Sequence, residues 1–209
     1  MRPALICLLA CVAAPSRAAD LSTLIRAVEQ RYNRAVTLEA DFEQRHLVQG
    51  RPRRIETGHL TLRKPGRMRW DYTHPAGKLF VSDGRWVWLY SPGAQQVERV
   101  RLKETDDFRA PLAFLLGRLD FRRAFATLEL SGSPEAPQLS AWPKSDRAPF
   151  TRVDFTLGPG GAIRRLVVHS PDGTAMEFVF TNERLNPPVA DSAFRFTPPP
   201  GLPVVDSGQ

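Results

Sequence analysis

From Gly58 to Leu102 apolar and polar residues alternate in short runs. Three breaks, Lys64-Pro65-Gly66, Asp83-Gly84 and Ser91-Pro92-Gly93, cut this stretch into strand-sized pieces. Arg67 to Tyr72 alternates strictly, with Met68, Trp70 and Tyr72 on one face and Arg67, Arg69 and Asp71 on the other. Asp83-Gly84 is a hairpin signal that predicts strands over 79–82 and 85–90. If those two residues are the whole loop, Phe80 pairs with Val87 and Leu89 shares their face. Trp86, Trp88 and Tyr90 then point the other way. The same period covers Leu38–Val48, where Leu38, Ala40 and Phe42 alternate with Glu39, Asp41 and Glu43. It also covers Ile55–Lys64, where Leu60, Leu62 and Lys64 share one parity. Between these two strands, Gln49–Arg54 reads as a basic loop containing Pro52. Further strands are expected over 95–102, 127–131, 138–142, 150–157, 162–170 and 174–181, with glycine-rich turns between the last three.

Two segments carry the helical period instead. In Asp20–Ala35, Leu21, Leu24, Ile25, Val28 and Tyr32 recur on one face. Arg109–Leu116 has Pro111 suited to a first turn and Gly117 suited to a helix end, with Leu112, Phe114, Leu115 and Leu116 making it apolar nearly all round. A second short helical segment is expected over 120–126. The prolines after Phe194 bar the tail from a central strand and leave it an edge or a covering segment. The pattern therefore predicts one α+β, mainly β domain: a long, strongly curved antiparallel sheet preceded by one helix and interrupted by a helical insert.

The first residues change the boundaries. Met1-Arg2, the apolar run Ala4–Ala14 and the small-residue site Ser16-Arg17-Ala18 form an export leader, so residues 1–18 are expected to be cleaved and 19–209 to form the mature domain. Both cysteines, Cys7 and Cys11, lie in that leader, which leaves the mature chain without a thiol. A rival reading takes Leu8-Leu9-Ala10-Cys11 as a lipoprotein processing site that would anchor the protein through Cys11. The formal charge of +7 falls when Arg2 and Arg17 leave but stays positive. The arginines are scattered in pairs, which favours a solvated basic surface over a nucleic-acid site.

Catalytic chemistry finds little support. His46, His59, His74 and His169 are isolated, none has metal-ligand spacing, and there is no nucleophile elbow or phosphate-binding glycine loop. The acidic residues alternate out of strands and read as solvent-facing. No enzyme, metal or cofactor is expected. Binding is better served, because a curved sheet has a face that must be covered or used. Lys64 is the one cation on that otherwise apolar face. It is either a strand end whose ammonium snorkels to water or a polar latch to whatever covers the face. The helices are equally open between ordinary core packing and a lid over a cavity.

Taken together, Phe42-Glu43-Gln44, Gly58-His59-Leu60, Lys64-Pro65, Met68-Arg69-Trp70, Val81–Gly84, Val87–Pro92, Gln96-Val97, Pro111–Leu116 and Phe194–Pro199 resemble the LolA family of periplasmic outer-membrane lipoprotein carriers. The resemblance implies an unclosed, half-open β-barrel whose concave face binds acyl chains under a lid of helices. Carried onto this sequence, the lipid-binding wall is Phe42, Leu60, Leu62, Met68, Trp70, Tyr72, Phe80, Val87 and Leu89. The lid is Leu24, Ile25 and Val28 with Leu112, Leu115 and Leu116. In the family the residue before the proline is commonly Arg and latches the lid by hydrogen bonds to lid carbonyls. Lys64 stands there, with three donors but no planar fork, so a looser latch is implied. The implied partners are acylated lipoproteins, an inner-membrane ABC transporter and an outer-membrane receptor, with the carrier a monomer in the periplasm. Two alternatives keep the fold: an outer-membrane-anchored lipoprotein receptor, and a periplasmic lipid-binding or sensor module.

Overall fold

The computed structural model describes residues 20–102 and 119–207. The expected leader and the predicted helix carrying Leu112, Leu115 and Leu116 lie outside the described residues. After helix α1 (Leu21–Arg34) come β1 (Thr37–Val48), β2 (Arg51–Arg63), β3 (Arg67–His74), β4 (Leu79–Asp83), β5 (Trp86–Tyr90) and β6 (Val97–Arg101). A single helical turn, α2 (Phe121–Ala124), precedes β7 (Phe125–Ser133), β8 (Ala136–Pro143), β9 (Arg152–Gly158), β10 (Ala162–His169), β11 (Thr174–Leu185) and β12 (Val204–Asp206).

The twelve strands among the described residues form one sheet in the order β12-β6-β5-β4-β3-β2-β1-β11-β10-β9-β8-β7. The two ends, β12 and β7, do not pair, so the sheet is an unclosed barrel. One face of β1–β5 and of β7–β11 supplies a single core cluster together with α1, so the sheet curls around that face. The single curled sheet expected from the alternation is therefore the sheet observed, antiparallel throughout except where β12 joins β6.

Three local expectations are corrected. The segment 49–54 is not a loop: only Gln49 and Gly50 turn, both at positive φ (51° and 73°), and β2 begins at Arg51. This is the geometry of a two-residue hairpin turn. Pro52 is tolerated because it lies opposite Leu47 where the register shifts. At the β4–β5 hairpin the turn lies one residue later than expected. Phe80 pairs with Leu89 and Val87 pairs with Ser82, not Phe80 with Val87. The cause is Asp83, whose Oδ1 accepts from the main-chain N–H groups of Arg85 (2.8 Å) and Trp86 (2.7 Å) and so ends the strand itself. Partners move by two positions, so every side chain keeps its face. Third, several acidic residues are not solvent-facing: Glu56, Asp154 and Glu177 are buried. Asp154 accepts from Ser140 Oγ and pairs with Arg152 and His169, and Glu177 pairs with Arg165 and Arg45.

The convex face explains the outward aromatics. Trp88 and Tyr90 lie 5.8 and 6.0 Å from the Phe196 ring, and the Arg99 guanidinium stacks 4.1 Å from Trp86. The C-terminal segment is strapped over this side. Arg63 donates to Asp191 and to the Val189 carbonyl, and Arg69 donates to the Ala193 carbonyl at 3.1 Å. Phe194 is buried beneath the strap. The chain then adds β12 in parallel to β6, pinned by Arg99–Asp206 at 2.8 Å.

Candidate functional site

The concave face is built by parity. Inward positions of β1 and β2 (Phe42, Leu60, Leu62), β3 (Met68, Trp70, Tyr72) and β4–β5 (Phe80, Val87) are all buried in the core cluster, with Leu89 half-buried against it. These are the residues named from the alternation. The sequence reading stopped at β5, and the other half of the curl contributes as much. Leu139, Phe155, Leu166 and Phe178 are fully buried on the same face. Their runs (Val153–Phe155–Leu157, Met176–Phe178–Phe180) carried the signal that could have found them. Phe42 is central, with ring centroids 4.6 Å from Trp70 and 5.1 Å from Tyr72. Gly58 makes room for it, since a Cβ there would stand 2.8 Å from Phe42 Cζ.

Helix α1 closes this face with Leu24, Ile25, Val28 and Tyr32. Its seat is specific. Gly161, at φ +73°, meets the helix so closely that a Cβ would lie 2.7 Å from the Val28 nitrogen. The Tyr32 hydroxyl donates to Glu183 Oε2 (2.7 Å) and accepts from the Ile163 N–H (2.8 Å). Burial, with the Glu183 carboxylate beside it, pushes the Tyr32 phenol well above its usual value. Asn33 bonds the Leu119 carbonyl at 2.8 Å, and Glu29 accepts from the Phe121 N–H at 2.9 Å.

Lys64 continues the concave parity of Leu60 and Leu62. Its ammonium donates to the Tyr32 main-chain oxygen at 2.6 Å, and burial lowers its pKa from the ordinary lysine value. That oxygen lies in the last turn of α1, where carbonyls lack helical partners. The cavity beside the contact, between Tyr32, Ala35, Leu38, Leu62 and Lys64, is about 10 Å³, room for about one water molecule. Anything much larger than a water molecule enters there only if side chains or α1 move.

At the other end the face turns polar, which the sequence reading missed. Tyr72 Oη donates to Gln44 Oε1 (2.9 Å), Gln44 donates to Glu56 (3.3 Å), and the Lys78 ammonium reaches both Glu56 oxygens at 2.9 and 2.7 Å. The clue lay in parity: Gln44 follows Ala40 and Phe42, and Glu56 precedes Gly58 and Leu60. A pocket of about 180 Å³ opens beside it, lined by Lys78, Phe80, Leu89, Gln96 and Glu98 among others. A larger groove of about 410 Å³ involves Asp41, His59, Asn182 and Arg184. It is polar and lies on the convex parity, with Asn182 and His59 both bonded to Asp41. No cluster of three or more metal-ligating side chains occurs among the described residues. No helix among them is long and apolar enough to cross a membrane.

An open, curled sheet with an apolar inner face under a helix defines a class of apolar-ligand binding folds. The model of the family "Outer membrane lipoprotein carrier protein LolA" matches residues 33–197, and this chain belongs to that family. A protein of Nitrosomonas europaea named outer-membrane lipoprotein carrier protein is 29% identical over 201 residues, covering 96% of this chain and 94% of its own. One of the same name from Methylococcus capsulatus is 33% identical over 174 residues, covering 82% of each chain. Among solved structures, an uncharacterized conserved protein from Thermus thermophilus shares the fold with a TM-score of 0.53 at 14% identity, covering 88% of this chain and 98% of its own.

Proposed function

We propose that this protein is a periplasmic lipoprotein carrier. It holds the acyl chains of a lipoprotein between the concave face and α1, receives them from an inner-membrane ABC transporter and delivers them to an outer-membrane receptor. The supporting observation is the pairing of a continuous apolar face with a helix that both packs on it and is tied by Lys64 at its last turn. Each methylene taken from water is worth ~0.8 kcal/mol, so acyl chains do not cross an aqueous compartment unaided. A carrier must also let go. When empty, α1 buries Leu24, Ile25 and Val28 in place of the ligand, at roughly 1.5–3 kcal/mol for each. Reclosure offsets part of the ligand's binding energy, so release needs no nucleotide. Within this reading Phe42, Leu60, Leu62, Met68, Trp70, Tyr72, Phe80, Val87 and Leu89 contact lipid, α1 is a lid and Lys64 its latch. The protein acts as a monomer, without a cofactor, after loss of a leader ending near Ala18.

Depleting the protein tests the reading. Outer-membrane lipoproteins should then accumulate in the inner membrane, and unchanged sorting on depletion would sink it. The mass of the mature chain checks the leader: a start at Ala19 or Asp20 fits, and a lipidated Cys11 does not.

A further inference from the structure

Among the described residues, the concave face holds one buried side-chain polar atom without a partner. Trp70 Nε1 is the only buried side-chain nitrogen or oxygen among the described residues without a hydrogen-bond partner. Trp70 is 1% exposed, in contact with Phe42 and Phe178 and paired across the strands with Phe80. Its neighbours on the same face show what is ordinary here: Tyr72, two residues along β3, and Gln44, two strands away on β1, are both hydrogen-bonded. Native interiors seldom tolerate such an orphan, because its hydration is lost and nothing replaces it. A phenylalanine would fill an apolar wall without that penalty.

We propose that Trp70 Nε1–H donates to the carbonyl oxygen of an acyl ester or amide bound on the concave face. The inference rests on the lipid-binding reading above and adds a polar contact to a wall otherwise explained by apolar area. Acyl ligands carry their only polar atoms at the head of each chain, so the contact also sets direction. From Trp70 the face leads through Phe80 toward the pocket lined by Lys78, Gln96 and Glu98, where the head can meet water. The hydrocarbon tails then run along Leu60, Leu62 and Met68 toward Lys64.

Equilibrium binding to the mature protein tests this with two pairs of probes. One pair is a triacylated lipopeptide and its analogue with every acyl carbonyl replaced by methylene. The other is a diacyl phosphatidylglycerol and its dialkyl ether. The wild type should favour the carbonyl member of at least one pair by about tenfold, the scale of one hydrogen bond. Trp70→Phe should abolish that preference whatever it does to stability, because the readout is a ratio within one protein. The Trp70 indole N–H resonance should also move downfield with the carbonyl ligand and not with its analogue. Equal binding within both pairs, or a preference that survives in Trp70→Phe, overturns the proposal. A preference seen with the phospholipid alone upholds the donor and contradicts the lipoprotein-carrier reading. No binding of either class overturns both.

Discussion

The Lys64 ammonium donates to the Tyr32 main-chain oxygen across 2.6 Å. This bond joins the end of β2 to the last turn of α1, and the same oxygen also receives the Ala35 N–H at 3.2 Å. A lysine on an apolar face is thereby given a definite partner, on the long helix that covers that face.

Replacing Lys64 by leucine removes a charge-assisted bond and also a partly desolvated ammonium, and the two effects oppose each other. Lys64→Leu should fold with a stability within ~2 kcal/mol of wild type in urea. Its effect should fall on transfer: with the closed form weakened, lipoprotein stays bound and passes more slowly to receptor-bearing membranes. Equal transfer rates for the two proteins would reduce Lys64 to a strand end.

The same lysine gives a pH signature. Burial holds its folded-state pKa below the ordinary 10.5. Between those two values the unfolded chain holds more protons than the folded one, so stability contributed through this group rises with pH across the window. Urea midpoints of wild type relative to Lys64→Leu should therefore climb toward pH 10.5. A falling difference would mean that the folded protein favours the ammonium.

Gly161 fixes how closely α1 sits. A Cβ would come 2.7 Å from the Val28 nitrogen and 2.8 Å from the Ala27 carbonyl carbon, at a φ of +73°. Gly161→Ala should destabilise by roughly 1–3 kcal/mol or more through overpacking and backbone strain. It should also raise dye binding to the apolar face before global unfolding. A melting curve superimposable on wild type would show that α1 can shift freely.

At the polar end, Lys78→Met leaves Glu56 buried beside Gln44 with only the longer Arg54 contact of 3.5 Å. Breaking a buried pair from one side costs about 3–5 kcal/mol, whereas removing both charges is often nearly neutral. The double variant Glu56→Gln, Lys78→Met should thus be more stable than Lys78→Met alone. Additive losses in a denaturation double-mutant cycle would contradict a coupled pair.

Alternation alone located the inner face, because Met68, Trp70 and Tyr72 obey a period that only one sheet orientation satisfies. It also survived a turn placed one residue early at Asp83, since a two-position change of partners preserves parity. What it could not show was set by distant chain. Trp88 and Tyr90 looked oddly exposed because Phe196, more than a hundred residues on, covers them. The parallel pairing of β12 with β6 has no local signature. Glu56 shares the inward parity of Gly58 and Leu60, but a carboxylate there reads as a surface residue until its partner Lys78, on another strand connection, is in place.

The proposed function requires an exchange: the curled sheet and α1 give up their mutual contact for acyl chains. Its most direct measurement is release from membranes: inner-membrane vesicles bearing radiolabelled lipoprotein and the ABC transporter, with ATP, incubated with the purified mature protein. A soluble one-to-one complex of lipoprotein and carrier should form, protected from aggregation and lost when α1 is cross-linked to β2. Lipoprotein that stays with the vesicles, or that is released equally well with α1 locked, would contradict it.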